Sequence, residues 1–313
     1  MIARRHVLRL LIAAAICLAV LLVYRSLGRY SFEEIEESVG AIPGWRLASA
    51  LGFVACSYLC LTGFDALALR YAGKPLSYPR TALASFTSLS IGHNVGLAAL
   101  SSGAVRYRFY SRWGLSAEQV AKVIVFCGVT VGLGLATLAG LALLLRPGGD
   151  PNLLGLDRPA AILLGLVCLA LPLAYMLICA FVRRRLRLWS WSFEPPRPAL
   201  ALGQIVIGTL NFSCVAACIH QLLAGFSDAG YLDVASAYVT ANIAALISHV
   251  PGGLGVLEAT MLSILPDAES IGALVAFRVL YFFVPLTVGV PILIASEAYY
   301  RRRPEKVSEQ ATS

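Results

Sequence analysis

An all-α polytopic membrane protein, with six full spans and two re-entrant helical hairpins arranged as an inverted repeat of two halves, is what this sequence predicts. Three observations carry that prediction. The chain is 58% hydrophobic and only 13% charged, with a mean hydropathy of +0.77, which excludes a soluble globular domain. Apolar runs of spanning length recur along it. Between them lie two membrane-length stretches too polar and too Gly-rich to face lipid, 89–110 and 245–261, in corresponding places of the two halves.

The six apolar runs are Leu8–Tyr24, Leu47–Leu69, Val120–Leu145, Ala160–Val182, Ala199–Ala224 and Ile271–Ser296. Each is close to the roughly 20 residues that cross a bilayer core. The first follows a basic start, MIARRHV, but no small-residue cleavage site comes after it, so it reads as a retained anchor rather than a cleaved signal. The two odd stretches, Thr81–Val105 and Val234–Leu265, are read as entering and leaving on one side. With the N-terminus in the cytoplasm, most of the 25 Lys and Arg residues then fall in cytoplasmic segments, among them Arg70, Lys74, Arg106, Arg108 and Arg112. Arg25, Arg29, Arg46, Arg146 and Arg158 fall outside, and Arg278 lies within the membrane. Full crossings would strand the loop RRRLRLWSWSFEPPRP outside, so the positive-inside bias favours re-entrant hairpins. Both termini are then cytoplasmic, in a bacterial inner membrane.

Segment starts at Leu8, Leu47, Thr81 and Glu118 recur near Ala160, Ala199, Val234 and Ser270, an offset of about 152 residues. The first half begins inside and the second outside, so the repeats are inverted, an arrangement of transporters whose sites lie near the midplane. Residues 1–313 form one membrane domain, with repeat 1 at about 8–145, repeat 2 at about 160–297 and a polar tail at 298–313. SFEE at 31–34 has the spacing of a capping box and opens a short outer helix. The loop from Arg183 to Pro198 mixes arginines with Trp189, Trp191 and Phe193, which suits an anionic inner leaflet and gives no reason to expect nucleic acid.

The offset sets Gly103-Ala104-Val105-Arg106 against Gly255-Val256-Leu257-Glu258. A charge near the bilayer centre costs at least about 2.5–3.5 kcal/mol and needs a partner or a wet cavity. Arg106 can snorkel to the cytoplasmic surface and Glu258 can pair with Arg278. Alternatively, Arg106 and Arg278 offer planar forks to a phosphate, and Glu258 accepts from an ammonium group. Pro251 stops the preceding helix, while Gly252, Gly253 and Gly255 permit a turn; a helix restarting there aims its amides at a site fit for phosphate. His93-Asn94 and Ser248-His249 set a histidine beside a small polar residue in each stretch, for headgroup binding, for proton relay, or simply to satisfy a buried carbonyl. Asp65, near Arg70, reads as a paired interfacial residue. Gly132 and Gly134 read as helix-packing positions. All eight cysteines lie in apolar spans without His or carboxylate at supporting spacing, so they read as packing residues, and no metal or cofactor is called for.

The run SSGAVRYRFYSRWGLSAEQVAKVI, followed in order by VPGGLGVLEA and FRVLYFFVPLTVG, resembles the membrane region of the lysylphosphatidylglycerol synthase/flippase family. That family includes the N-terminal flippase domain of multiple peptide resistance factor. The resemblance runs from about residue 45 to 298. It implies movement of aminoacylated phosphatidylglycerol or related lipids from the inner to the outer leaflet. It also implies headgroup-binding positions at Gly103, Arg106, Tyr107, Pro251, Gly252, Gly253, Gly255, Glu258 and Arg278. Ser102 stands where a glycine pair is expected and is expected to stiffen the first turn. The chain stops at Ser313 without an acyltransferase-like domain, so the expectation is a standalone lipid transporter rather than a synthase. An intramembrane enzyme acting on a lipid headgroup is the alternative; it needs a nucleophile with a base or a metal cluster, and no such motif is visible. The candidate partners are a phospholipid headgroup, a separate lipid synthase for which the chain is a scaffold, and a second copy of the chain.

Overall fold

The computed structural model describes residues 42–95, 98–145, 155–182, 186–188, 191–248, 250–265 and 271–302, with isolated helical positions at Glu33, Glu36 and Gly40. The apolar run Leu8–Tyr24, the capping residue Ser31 and His249 lie outside the described residues. Helices α1 (Gly44–Tyr71), α2 (Tyr78–Val95), α3 (Ala98–Arg112) and α4 (Ala117–Leu144) belong to the first half. Helices α5 (Arg158–Phe181), α6 (Pro198–Leu223), α7 (Tyr231–Ser248), α8 (Val256–Ile264), α9 (Ile271–Arg278) and α10 (Val284–Arg302) follow. A 3₁₀ turn at Pro251–Gly253 separates α7 from α8, and a π turn at Val279–Phe283 joins α9 to α10. In the loop between α5 and α6, β1 (Leu186–Leu188) pairs antiparallel with β2 (Trp191–Phe193).

Among the described residues six helical stretches are long and apolar enough to cross a membrane: α1, α4, α5, α6, α7 and the continuous helix Gly272–Tyr300. Five coincide with predicted spans. The sixth, α7, is the first arm of the stretch read as the second re-entrant hairpin; its 18 residues give it a length of about 27 Å. Little of α5 is covered by protein. Leu163, Leu166, Leu171, Leu173 and Phe181 are all exposed, as side chains solvated by lipid tails would be.

Local chemistry explains the helix boundaries. Ser116 and Gln119 form a full capping box on α4: the Gln119 N–H donates to Ser116 Oγ at 3.2 Å, and the Ser116 N–H donates to Gln119 Oε1 at 2.9 Å. Asp157 caps α5 by accepting from the Ala160 N–H at 3.2 Å. The π turn has a cause as well. Pro285 has no N–H for the Tyr281 carbonyl four residues back, and its ring crowds that oxygen. The helix widens there, and the carbonyls it frees are taken by other helices: Tyr58 Oη donates to Tyr281 O and Asn94 Nδ2 to Phe282 O, both at 3.2 Å.

Helices α1 and α6 run antiparallel through the centre. Gly63 lies against Ile207, Leu67 against Gly203, and Ser57 Oγ donates to Asn211 Oδ1 at 2.8 Å. Helix α4 crosses α6 backbone to backbone. A Cβ added at Gly134 would stand 2.4 Å from the Gly208 carbonyl carbon, and one at Gly208 would stand 2.6 Å from the Thr130 carbonyl oxygen. Gly134 thus does the packing expected of it. Gly132 does not: no atom comes within 4 Å of a Cβ built there. Gln204 locks the same crossing, donating to Phe126 O at 3.1 Å and Thr130 Oγ1 at 3.0 Å while accepting from Tyr175 Oη at 2.6 Å. Gly208→Ala is expected to cost about 1–3 kcal/mol, because the obstructing atom is backbone. Thermal unfolding in detergent measures this, and an unchanged midpoint would show that the crossing yields to a methyl group.

Candidate functional site

The two polar stretches meet inside the protein. The last turn of helix α2 holds Gly92, His93 and Asn94, and the Pro251–Gly253 turn comes up against it. A Cβ on Gly252 would stand 3.4 Å from the His93 carbonyl oxygen and 3.9 Å from that of Asn94. Gly252 and Gly253 both have φ near +60°, a left-handed conformation that only glycine adopts freely. The helix break at Pro251 and the restart at Val256 stand where the sequence predicts them.

The charges in this junction are already paired. Arg278, 3% exposed at the end of α9, donates from Nε and Nη2 to the Glu258 carboxylate. The same guanidinium donates from Nη2 to Gly253 O at 3.0 Å and from Nη1 to Gly252 O. It lies 4.7 Å from the centre of the Phe282 ring. Glu258 Oε2 also accepts from the Gly255 N–H at 2.9 Å. The N-terminus of α8 therefore receives its anion from the protein itself, where the sequence suggested a phosphate. Arg278 acts on the turn as a clamp, binding two carbonyls that the 3₁₀ turn leaves open.

Arg106 is also buried and paired, and it does not snorkel to the surface. Its Nε donates to both Asp65 oxygens at 3.2 and 2.9 Å, its Nη2 to Asp65 Oδ1 at 2.9 Å, and its Nη1 to Ser102 Oγ at 3.0 Å. Tyr110 Oη donates to Asp65 Oδ2 at 2.6 Å, and Cys127 Sγ approaches Oδ1 at 3.4 Å. Asp65 is 0% exposed, so it is a core residue paired with Arg106 on another helix, not an interfacial residue beside Arg70. The Gly103–Arg106 segment is helix interior, in contrast to the flexible approach the sequence suggested. Ser102 sits in the same helix, where it receives Arg106 and packs on Gly92 and stiffens no turn. Gly103 leaves room for Ile124, whose Cδ1 would stand 2.9 Å from an added Cβ. Tyr107 is exposed and joins neither ion pair.

Around the junction, His93 stacks on Tyr281 with ring centroids 6.0 Å apart, and Asn94 Nδ2 spans from Ser90 O to Phe282 O. Ser57 Oγ sits 3.0 Å from Tyr281 Oη as well as on Asn211. Ser57, Tyr58, Asn211, Gln204 and Tyr281 are not among the candidates the sequence offers. The signal available was their polar atoms inside apolar spans, where hydrocarbon cannot satisfy them. At the far end of α3, Arg108 and Arg112 both bind Glu297, and Trp113 Nε1 donates to Tyr300 Oη at 3.0 Å. These basic residues tie α3 to α10.

The family model described as the lysylphosphatidylglycerol synthase TM region matches residues 7–289, a range that includes every residue of the junction. The uncharacterized protein slr0712 of Synechocystis sp. is 32% identical over 301 residues, covering 94% of each chain. Inner membrane protein YbhN of Escherichia coli is 31% identical over 297 residues, covering 90% of this chain and 89% of its own length. With six helices among the described residues able to cross a bilayer and a family match along nearly its whole length, the chain is a multi-pass membrane protein that belongs to the lysylphosphatidylglycerol synthase transmembrane-region family.

Proposed function

We propose that this protein moves a phospholipid of the phosphatidylglycerol type, aminoacylated or not, between the leaflets of a bacterial inner membrane. The observation that carries the reading is the meeting of two broken-helix tips, one from each half, at Gly252 and His93-Asn94. Tips of that kind, held in protein at membrane depth, are where transporters place their binding sites. In this reading α2–α3 and α7–α8 are re-entrant hairpins that gate opposite sides. The short α8, with nine residues and a length of about 14 Å, supports it, since a bilayer core is about 30 Å thick.

The inverted repeat belongs to the same proposal. Helix starts at 44, 78, 98 and 117 recur at 198, 231, 256 and 271. Helices α1 and α6 occupy equivalent places, run antiparallel, and touch through Ser57 and Asn211, whose separation of 154 residues is close to the repeat offset itself. A residue bonded to its own counterpart lies next to the axis relating the halves. The headgroup binds at the junction between them, with Arg278 and Glu258 exchanging their internal partners for its phosphate and amine.

The test is leaflet-resolved movement of headgroup-labelled phosphatidylglycerol and its lysyl ester in proteoliposomes, with Glu258→Gln as the control. Protein-dependent movement that recovers chemically unchanged lipid, and that falls in the folded variant, is expected. Absence of movement for both lipids sinks the proposal, and recovery of an altered headgroup would replace transport with catalysis.

A further inference from the structure

His93 is the anomaly in the junction. Its Nδ1 is buried without a hydrogen-bond partner, although the ring is held on three sides, with centroids 6.0 Å from Tyr281, 6.2 Å from Tyr58 and 6.2 Å from Phe282. Buried polar atoms are almost always satisfied, so an exception in the middle of a candidate site needs a reason. The groups around it are committed elsewhere. From α1, Tyr58 Oη donates to Tyr281 O, and Asp65 is enclosed by Arg106, Tyr110 and Cys127. From the π turn, Tyr281 Oη is bonded with Ser57. Arg106 of α3 approaches through Ser102, which packs on Gly92, and Arg278 of α9 binds the adjoining turn. Glu258 is held by Arg278, and Glu297 of α10 by Arg108 and Arg112.

We propose that His93 is a proton-binding site, and that proton uptake at Nδ1 and separation of the two hairpin tips are a single event. A neutral imidazole with a bare Nδ1 lone pair fits the closed junction. When that lone pair takes a proton from hydronium and releases water, the ring becomes a third cation beside Arg106 and Arg278, with no carboxylate among the described residues left to pair with it. Phe282 already carries Arg278 on its face and offers the imidazolium little more. The new charge is relieved when the end of α2 parts from the Pro251–Gly253 turn and water reaches Nδ1. Release of the proton closes the junction again. As an energy source for lipid movement the site rests on the transport reading, but its response to pH is measurable without any transport.

The experiment follows amide hydrogen exchange at residues 92–95 and 252–255 in the full chain in nanodiscs, from about pH 8 to about pH 5, after correction for intrinsic exchange. Tip protection should fall as pH drops, by up to tenfold per unit, roughly the limit for one coupled proton. In His93→Gln it should stay flat. A second measurement on the unmodified protein, ¹⁵N-histidine resonance titration, should show the His93 ring neutral wherever the tips are closed and protonated only once the open form predominates. Tips indifferent to pH, a pH response retained in His93→Gln, or an imidazole that becomes protonated while tip protection stays unchanged would each overturn the proposal. Loss of lipid movement with an intact pH response of the tips would overturn the transport reading alone.

Discussion

Replacing Arg278 with methionine is expected to destabilise the protein by about 3–5 kcal/mol, the cost of leaving one member of a buried ion pair without the other. The loss is larger than that of an ordinary pair because the same side chain also holds the carbonyls of Gly252 and Gly253. Arg278→Lys should restore only part of it. A lysine ammonium carries the charge but not the planar fork that reaches a carboxylate and two carbonyls at once. Glu258→Gln combined with Arg278→Met should cost less than the sum of the single changes, since the two residues act on each other. Equilibrium unfolding in detergent decides the matter. A single variant within about 0.5 kcal/mol of the parent would mean that the turn holds itself.

A comparable loss, again about 3–5 kcal/mol, is expected for Asp65→Ala, which leaves the Arg106 guanidinium buried among apolar helices. Asp65→Leu with Arg106→Met should recover most of it, because apolar residues of similar volume often replace a buried pair without penalty. If the double variant is as unstable as Asp65→Ala, then the contacts of Tyr110 and Cys127 with Asp65 hold α1, α3 and α4 together, and the arginine does not.

These two clusters also mark the boundary of what the sequence reveals. Five spans, the break at Pro251 and the restart after Gly255 are written locally, in periodicity, a proline and glycines. The Glu258–Arg278 pair was legible because so few charges lie within the second half's apolar stretches. Asp65 was visible as a charge in need of a partner, yet its partner lies 41 residues away on another helix, and Arg70 was the nearer suggestion. The segment at 101–103 looked like a turn because Ser and Gly favour turns in isolation. In the fold its small side chains serve close helix approach instead, with Ser102 against Gly92 and Gly103 under Ile124. The π turn had a signal in Pro285, but which helices would take the freed carbonyls depends on packing that no local pattern encodes.

The position of Glu258 has a consequence for the headgroup site proposed at the junction. Its carboxylate lies three residues from the amide it accepts from, so it is a competitor permanently attached to the site. Such tethering corresponds to an effective concentration on the order of millimolar or above. An anion dissolved in the surrounding water must displace it from dilute solution and at full entropic cost. A ligand dissolved in the bilayer is itself concentrated in two dimensions beside the helix end, and competes on better terms than a dissolved anion. If the junction is the proposed headgroup site, self-occupancy therefore sorts ligands by the phase they come from, turning away soluble phosphates before their shape or charge is ever compared.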